Sequence, residues 1–288
     1  MPDPFELPAA VRSAVADPPT GTSGSTQAAG IRWRWTDWGD PDAPSALLLH
    51  GVGSSSATFW RLGPALAAVG WRAVAVDQAG HGGTGGWRGH HRFRDNAADV
   101  AAFIAAAGLR SRRGDPVVIG HSWGALTAAA LPSVGLCPDR LVLIDPPAAP
   151  LATMRAMADD PGEAPYRDLG QARAAVLAAN PDWDEREVLA KARAILAMDP
   201  AAVRSILVDN GDWDGGLADL TDPAAAGIPL AIVRGEPAHG SLTPDAYLDE
   251  LRRRLGSVRI ATIAGAGHSP LRDDPVATIS VILAAMRD

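Results

Sequence analysis

Six short apolar blocks recur along the 288-residue chain without the alternation of a half-exposed strand: Ala46 to Leu49, Ala73 to Val76, Val117 to Ile119, Leu141 to Ile144, Leu230 to Val233 and Val258 to Ile263. Runs of this kind, bounded by Gly, Asp or Pro, suit strands covered on both faces, and the Ala-rich segments between them have helical spacing. Strands alternating with helices imply an α/β protein with a mostly parallel sheet flanked by helices. The 82 residues from 146 to 227 break the rhythm. They read as helices at Gln171 to Ala179, at Asp184 to Ala197 after the cap Asn180-Pro181-Asp182-Trp183, and at Pro200 to Asp209, and so as an inserted helical cap, because structureless loops of that length are uncommon. The expected organisation is a flexible N-terminal arm (1–30), a core (31–145 and 228–288) and the cap (146–227). The arm is inferred from Asp17 to Thr26, too poor in large apolar groups to offset its ordering entropy. Ile31 to Trp35 alternates like a half-exposed strand and Trp38 to Pro44 supplies turn chemistry, so a strand pair is expected at the start.

Composition removes several function classes. A net charge of −7 with no long basic run argues against nucleic acid, since phosphate binding needs clustered positive charge. Arginine outnumbers lysine 25 to 1, which reads as compositional bias. No apolar run approaches the ~20 residues of a membrane helix, and Met1 to Thr20 carries three acidic residues and five prolines where a secretory signal carries a basic end and an apolar block. A cytoplasmic protein is expected, as monomer or homodimer, without membrane association. Cys137 is the only cysteine, so neither an intrachain disulfide nor a multi-thiolate metal site is available.

The chemistry-bearing segment is Gly120-His121-Ser122-Trp123-Gly124, directly after Val117-Val118-Ile119 and before the helical Ala125 to Ala130. A strand that turns sharply into a helix holds its middle residue in strained backbone geometry, and the flanking glycines are required because a Cβ there would clash. This is a Gly-x-Ser-x-Gly nucleophile elbow in its expected context.

From Ile31 to the C-terminus the chain resembles the α/β-hydrolase family, and three further segments carry the likeness. Leu47-Leu48-Leu49-His50-Gly51-Val52-Gly53 is similar to the family's His-Gly turn after its third strand. Asp77-Gln78-Ala79-Gly80-His81-Gly82-Gly83-Thr84 resembles the turn after the fourth. Gly265-Ala266-Gly267-His268-Ser269-Pro270 resembles the loop of the catalytic histidine. A serine hydroxyl needs a base within hydrogen-bond reach, and the base needs a carboxylate to fix its tautomer. The resemblance makes Ser122 the nucleophile, His268 the base, and the backbone N–H groups of Val52 and Trp123 the oxyanion hole. His121 reads as a packing residue, His50 and His81 as partners of loop backbone, and His90-His91 as solvated; no metal site and no organic cofactor are expected.

The acid departs from the family pattern, because Ala238 occupies its usual position in Gly235-Glu236-Pro237-Ala238. Asp145, at the end of the strand after the elbow, is the first candidate, since several hydrolase branches carry their acid there. Glu236, two residues early in the usual loop, is the alternative. Met154, Met157, Trp183 and Trp213 from the cap, with Phe59, Trp60 and Trp87 from the core, suggest an apolar pocket, with His50, Gly51, Trp123, Trp183 and Trp213 as its candidate lining. The resemblance then implies a serine hydrolase of a small apolar or aromatic carboxylic ester or lactone. A carbon–carbon-bond hydrolase or cofactor-free perhydrolase would use the same residues, and a non-catalytic ligand-sensing or partner-binding protein on the scaffold is the reading of another class. Ser122 argues against epoxide hydrolase and haloalkane dehalogenase chemistry, which the family performs with an aspartate at the elbow.

Overall fold

The protein is described from a computed structural model that covers residues 7–85, 89–110, 114–159 and 166–287. Helix α1 (Ala9–Ala16) precedes a hairpin of β1 (Thr22–Ala28) and β2 (Ile31–Trp38). There follow β3 (Ser45–Leu49), α2 (Leu62–Ala67), β4 (Arg72–Asp77), α3 (Phe93–Ala106), β5 (Val117–His121), α4 (Trp123–Ala129) and β6 (Arg140–Ile144). An insertion holds the short strand β7 (Ala148–Ala149), α5 (Leu151–Asp159), α6 (Leu169–Ala179), α7 (Glu185–Ala197), α8 (Pro200–Val208), β8 (Trp213–Asp214) and α9 (Leu217–Leu220). The chain then returns to β9 (Leu230–Arg234), α10 (Asp245–Leu255), β10 (Arg259–Thr262), α11 (Pro270–Asp273) and α12 (Pro275–Arg287).

All six apolar blocks of the sequence are strands of one eight-stranded sheet, in the order β1-β2-β4-β3-β5-β6-β9-β10. From β4 to β10 every pairing is parallel, and β1 and β2 add an antiparallel edge. The unbroken apolar runs follow from period-two geometry with helices on both faces. Leu47, Leu49, Val74, Val76, Val118, Leu141 and Leu143 point into one buried core with α3 and α4. Their neighbours Ala46, Leu48, Ala73, Ala75, Val117, Ile119 and Val142 point into the other, with α2 and α12.

Two expectations are corrected. The segment 1–30, expected as a flexible arm, instead carries α1 and β1. Leu7, Val11 and Val15 recur every four residues and are buried in the second core. Strand β1 has few apolar side chains because its partner supplies them: a Cβ at Gly24 would fall 2.1 Å from the Trp35 ring, so the indole lies on bare backbone. The hairpin also forms upstream of where it was expected. β2 pairs with β1 and β4, while the Trp38 to Pro44 turn leads into β3, two positions away across β4.

The three helices expected in the insertion are α6, α7 and α8, each opened by an aspartate whose side chain accepts from a first-turn N–H: Asp168, Asp184 and Asp199. The α7 cap is thus Asp184 and not the preceding Asn180 to Trp183. The parallel strands all point their C-terminal ends toward this insertion, and ligands of open α/β sheets bind at that edge.

Candidate active site

Ser122 sits between β5 and α4 with φ 54° and ψ −124°, a left-handed backbone that tight packing imposes. A Cβ at Gly120 would come within 2.3 Å of the Gly124 carbonyl oxygen, and one at Gly124 within 2.3 Å of that of Leu49. The glycines therefore let β5, α4 and β3 approach closely enough to force the turn that lifts Ser122 Oγ above the sheet edge.

Ser122 Oγ lies 2.9 Å from His268 Nε2, and His268 Nδ1 lies 2.7 Å from Asp145 Oδ2. Asp145 follows β6 at φ 44° and is fully buried. Its carboxylate also accepts from the Ser241 hydroxyl at 2.5 Å, the Leu242 N–H at 2.8 Å and the Gly235 N–H at 3.2 Å. Burial alone would raise the Asp145 pKa. The hydrogen bond and charge of His268, with the Ser241 and Leu242 donors, more than offset burial and hold the carboxyl below its usual range. Glu236, the alternative acid, is elsewhere: its carboxylate accepts from the Gly265 N–H at 3.0 Å and pairs with His239 at 3.0 Å, bracing the loop that leads to His268.

The Val52 N–H has no acceptor among the described residues, and Trp123, as the first residue of α4, has none within its helix. Beneath them, His50 Nε2 accepts from the Gln78 N–H at 3.0 Å, and His81 Nε2 accepts from the Gly53 N–H at 3.2 Å. These two histidines thus tie the His50-Gly51-Val52-Gly53 turn to the turn after β4. Burial drops the His50 pKa to about 4 and that of His81 to about 3, so both are neutral acceptors at neutral pH.

His121 contributes more than packing. Its Nε2–H donates to the His268 carbonyl at 2.8 Å and its ring lies 5.1 Å from that of His268, so it supports the loop that carries the base. Burial drops its pKa to about 3. His90 is exposed, but His91, expected in solvent beside it, is buried where its N–H reaches the Ser205 hydroxyl.

Ser122 opens into a cavity of about 590 Å³ lined by Gly51, Val52, Ser54, His121, His268, Trp183, Lys191 and Arg272, among others. The expected apolar pocket is therefore corrected, because most of the lining is polar. Of the expected lining residues, Gly51 and Trp183 face the cavity. His50 and Trp123 are wholly buried under it, with Trp123 packed against His50 and His81. Trp213 packs edge-on against Phe93, 5.1 Å between ring centres, and belongs to the core between the insertion and α3. Phe59 and Met154 are core residues and Met157 is exposed; Trp87 lies outside the described residues.

What sequence reasoning missed is a charged cluster against the cavity wall. Arg272, on α11, is buried; its Nη2 donates to the hydroxyls of Ser54 at 3.0 Å and Thr58 at 2.9 Å, and its Nε donates to Glu187 at 3.3 Å. Glu187, on α7, is buried as well, with the Trp60 indole N–H and Arg61 on its other oxygen. Burial pushes the Glu187 carboxyl above its usual range, and the surrounding cations and the indole only partly restore it. Lys191, one helical turn further along α7, donates to the Gly53 carbonyl at 2.9 Å. That Lys191 is the only lysine of the chain was the available signal.

Residues 46–281 match the model of the alpha/beta hydrolase family. Epoxide hydrolase B of Mycobacterium tuberculosis is 34% identical over 91 residues, covering 31% of this chain and 24% of that relative. Epoxide hydrolase A of the same organism is 30% identical over 99 residues, covering 34% and 30%. The matched stretch is thus less than a third of either relative's length. Among solved structures, E-2-(acetamidomethylene)succinate hydrolase superposes with a TM-score of 0.79 at 22% identity, covering 93% of this chain and 100% of that one. An esterase of Mycobacterium tuberculosis gives 0.70 at 24% identity, covering 99% and 98%. At these identities the structural likenesses show the shared fold.

Proposed function

The chain belongs to the alpha/beta hydrolase family, and on that footing we propose that it hydrolyses a carboxylic ester or lactone through an acyl-enzyme on Ser122. The observation that carries this reading is the unbroken line of hydrogen bonds from Ser122 Oγ through His268 to Asp145. Ser122 attacks the scissile carbonyl while its proton passes to His268 Nε2, and Asp145 stabilises the imidazolium and fixes the ring with Nδ1–H toward itself. The Val52 and Trp123 N–H groups receive the developing alkoxide, a contribution of ~3 to 4 kcal/mol where such donors are preorganised. The alcohol leaves with the proton from His268. A water then gives its proton to His268 and attacks the acyl group, which restores Ser122.

The named activity of the epoxide hydrolase relatives does not suit this elbow. A carboxylate that opens an epoxide leaves an ester that water can cleave, whereas a serine hydroxyl would leave an ether, which the imidazole cannot activate. Ser122 therefore fits acyl transfer.

The test is Ser122→Ala against wild type on chromogenic esters and a lactone, with a serine-directed phosphonate as covalent probe. Wild type should label once per chain and turn over, and the folded alanine variant should do neither, with a loss of several orders of magnitude. An alanine variant that keeps more than about a tenth of the rate would remove Ser122 as nucleophile.

A further inference from the structure

We propose that the cavity selects an anionic substrate, a half-ester of a short dicarboxylic acid whose second carboxylate is held by Arg272 and Lys191. This rests on the serine-hydrolase reading above and names its substrate class.

Arg272 lines the cavity with donors to spare. A guanidinium has five N–H donors, and the protein accounts for three of them, at Ser54, Thr58 and Glu187. No acceptor among the described residues meets Nη1, although the residue is 7% exposed and lines the cavity beside Ser122 and His268. A donor open toward the cavity is met by water until a ligand acceptor displaces that water, so Nη1 is available to a ligand while the other three donors are held by the protein. The planar fork suits a carboxylate in particular. Trp183, whose ring lies 4.9 Å from the guanidinium carbon, closes one side and limits where the side chain can swing.

The local charge balance points the same way. Arg272 and Lys191 line the cavity as cations, and behind the lining stand two buried carboxylates, Glu187, held by Arg272 and Arg61, and Asp145, held by His268, so three cations face two anions. The other acids of the lining, Asp182 and Asp273, stand exposed at the rim, where water screens them and where Asp273 is occupied by the Trp183 indole and the Gly267 N–H. His239, also at the rim, pairs with Glu236. An anion in the cavity therefore meets a surplus of positive charge in a partly desolvated setting.

Position sets the size of the ligand. Lys191 is tied to the carbonyl of Gly53 and Arg272 to the hydroxyl of Ser54, one and two residues past the proposed oxyanion donor Val52. Two residues of chain span at most ~7 Å and a hydrogen bond adds ~3 Å, so the cations stand on the order of 10 Å or less from the oxyanion donor, a gap that one short acyl group with a hydrogen bond at each end can bridge. A carboxylate two or three carbons from the scissile carbonyl meets this spacing, as in succinyl and glutaryl esters.

The experiment compares kcat/KM for 4-nitrophenyl hemisuccinate and hemiglutarate with their neutral counterparts, the butyrate and valerate esters. The anionic-to-neutral ratio should exceed ten in wild type and fall with rising salt. It should drop roughly tenfold to a hundredfold in Lys191→Gln and in the double variant Arg272→Met/Glu187→Gln, which removes both partners of the buried pair. A wild-type ratio near one, or a ratio that neither variant lowers, overturns the proposal. Calorimetric titration of glutarate into Ser122→Ala separates the two readings. If no ester is turned over but glutarate binds and the added Lys191→Gln change weakens it, the serine-hydrolase reading fails and the anion site stands. If esters are turned over and glutarate does not bind, the anion site fails and the hydrolase stands.

Discussion

Across the cavity, two walls follow different rules. The sheet-edge wall, with Ser122, Asp145 and His268, is built where strands β5, β6 and β10 end, and each reactive side chain is aimed by its own backbone: a positive φ at Ser122 and Asp145, a glycine-rich loop before His268. The second wall is aimed by contacts between distant parts of the chain. Glu187 of the insertion meets Trp60, Arg61 and Arg272, partners 127, 126 and 85 residues away. On the function proposed above, the first wall would set which bond is broken and the second what is brought to it. The aim of the first wall is thus set by local backbone, and that of the second by packing between distant segments.

The largest effect is expected where the sheet-edge wall is disturbed without touching backbone. Asp145→Asn keeps the volume and the acceptor oxygen, but loses the charge that stabilises the His268 imidazolium and can hold the ring in the wrong tautomer. Turnover should fall by up to ~10⁴ with the fold retained. Glu236→Gln should keep most of its rate, since its carboxylate braces the Gly265 N–H from outside the line of proton transfer. The reverse ranking, measured as kcat/KM on one ester beside a thermal melt, would move the acid to Glu236.

On the second wall the largest effect should be on stability. Arg272→Met removes one of the two cations from a buried carboxylate and leaves Glu187 with Trp60 and Arg61 alone, a change expected to cost at most the ~3 to 5 kcal/mol of a fully broken buried pair. Adding Glu187→Gln removes the stranded charge and should recover most of that loss in a urea unfolding experiment. If the double variant is no more stable than the single one, the cluster is not acting as a charge pair.

The buried histidines beneath the sheet-edge wall give that region its own pH signature. The folded pKa values of His50, His81 and His121 are lowered, to about 4, 3 and 3, against 6.5 for an ordinary histidine. Above pH 6.5 neither state is protonated and stability is flat. As pH falls from there toward 4, the unfolded chain takes up protons that the native chain refuses, so stability falls by up to ~1.4 kcal/mol per pH unit for each histidine. Asp145, with its lowered pKa, keeps its contribution in this window and gives it up only at lower pH, as the carboxylate protonates. Urea midpoints that do not move between pH 7 and pH 5 would count against buried neutral imidazoles at these positions.

The same division decides what could be read from the chain before its structure. The six parallel strands and the elbow were legible because unbroken apolar runs and flanking glycines are local consequences of burial and of a tight turn. Ser122 and His268 stand on such signals, and Asp145 was one of two candidates because its reach to His268 depends on how β6 sits beside the His268 loop. Helix α1 escaped notice because three apolar residues at four-residue spacing are a weak stripe, and β1 because its apolar cover comes from Trp35 on another strand. The aromatic and thioether side chains of the sequence suggest an apolar pocket, yet Phe59, Met154, Trp123 and Trp213 pack into the core, and only packing decides which way such a side chain turns. Arg272 and Lys191 carried no local signal beyond the rarity of lysine.

The smallest expected effect lies within the insertion, where Trp183 and Trp213 both sit but only Trp183 faces the cavity. Trp183 is half-buried in the lining, with its indole N–H on Asp273 and Arg272 across its ring. Trp213 is 4% exposed and packs against Phe93. Truncating a cavity residue changes the room offered to remote parts of a substrate, and differences of a methylene or a ring in such a site alter relative rates by roughly tenfold. Trp183→Ala should therefore shift the ratio of kcat/KM between bulky and short esters by up to about that factor. Trp213→Ala should leave the ratio in place and lower the unfolding midpoint, because the loss of a buried indole costs ~3 to 5 kcal/mol of packing wherever it occurs in a core. A ratio that moves in Trp213→Ala and stays fixed in Trp183→Ala would mean that the insertion turns a different face to the substrate.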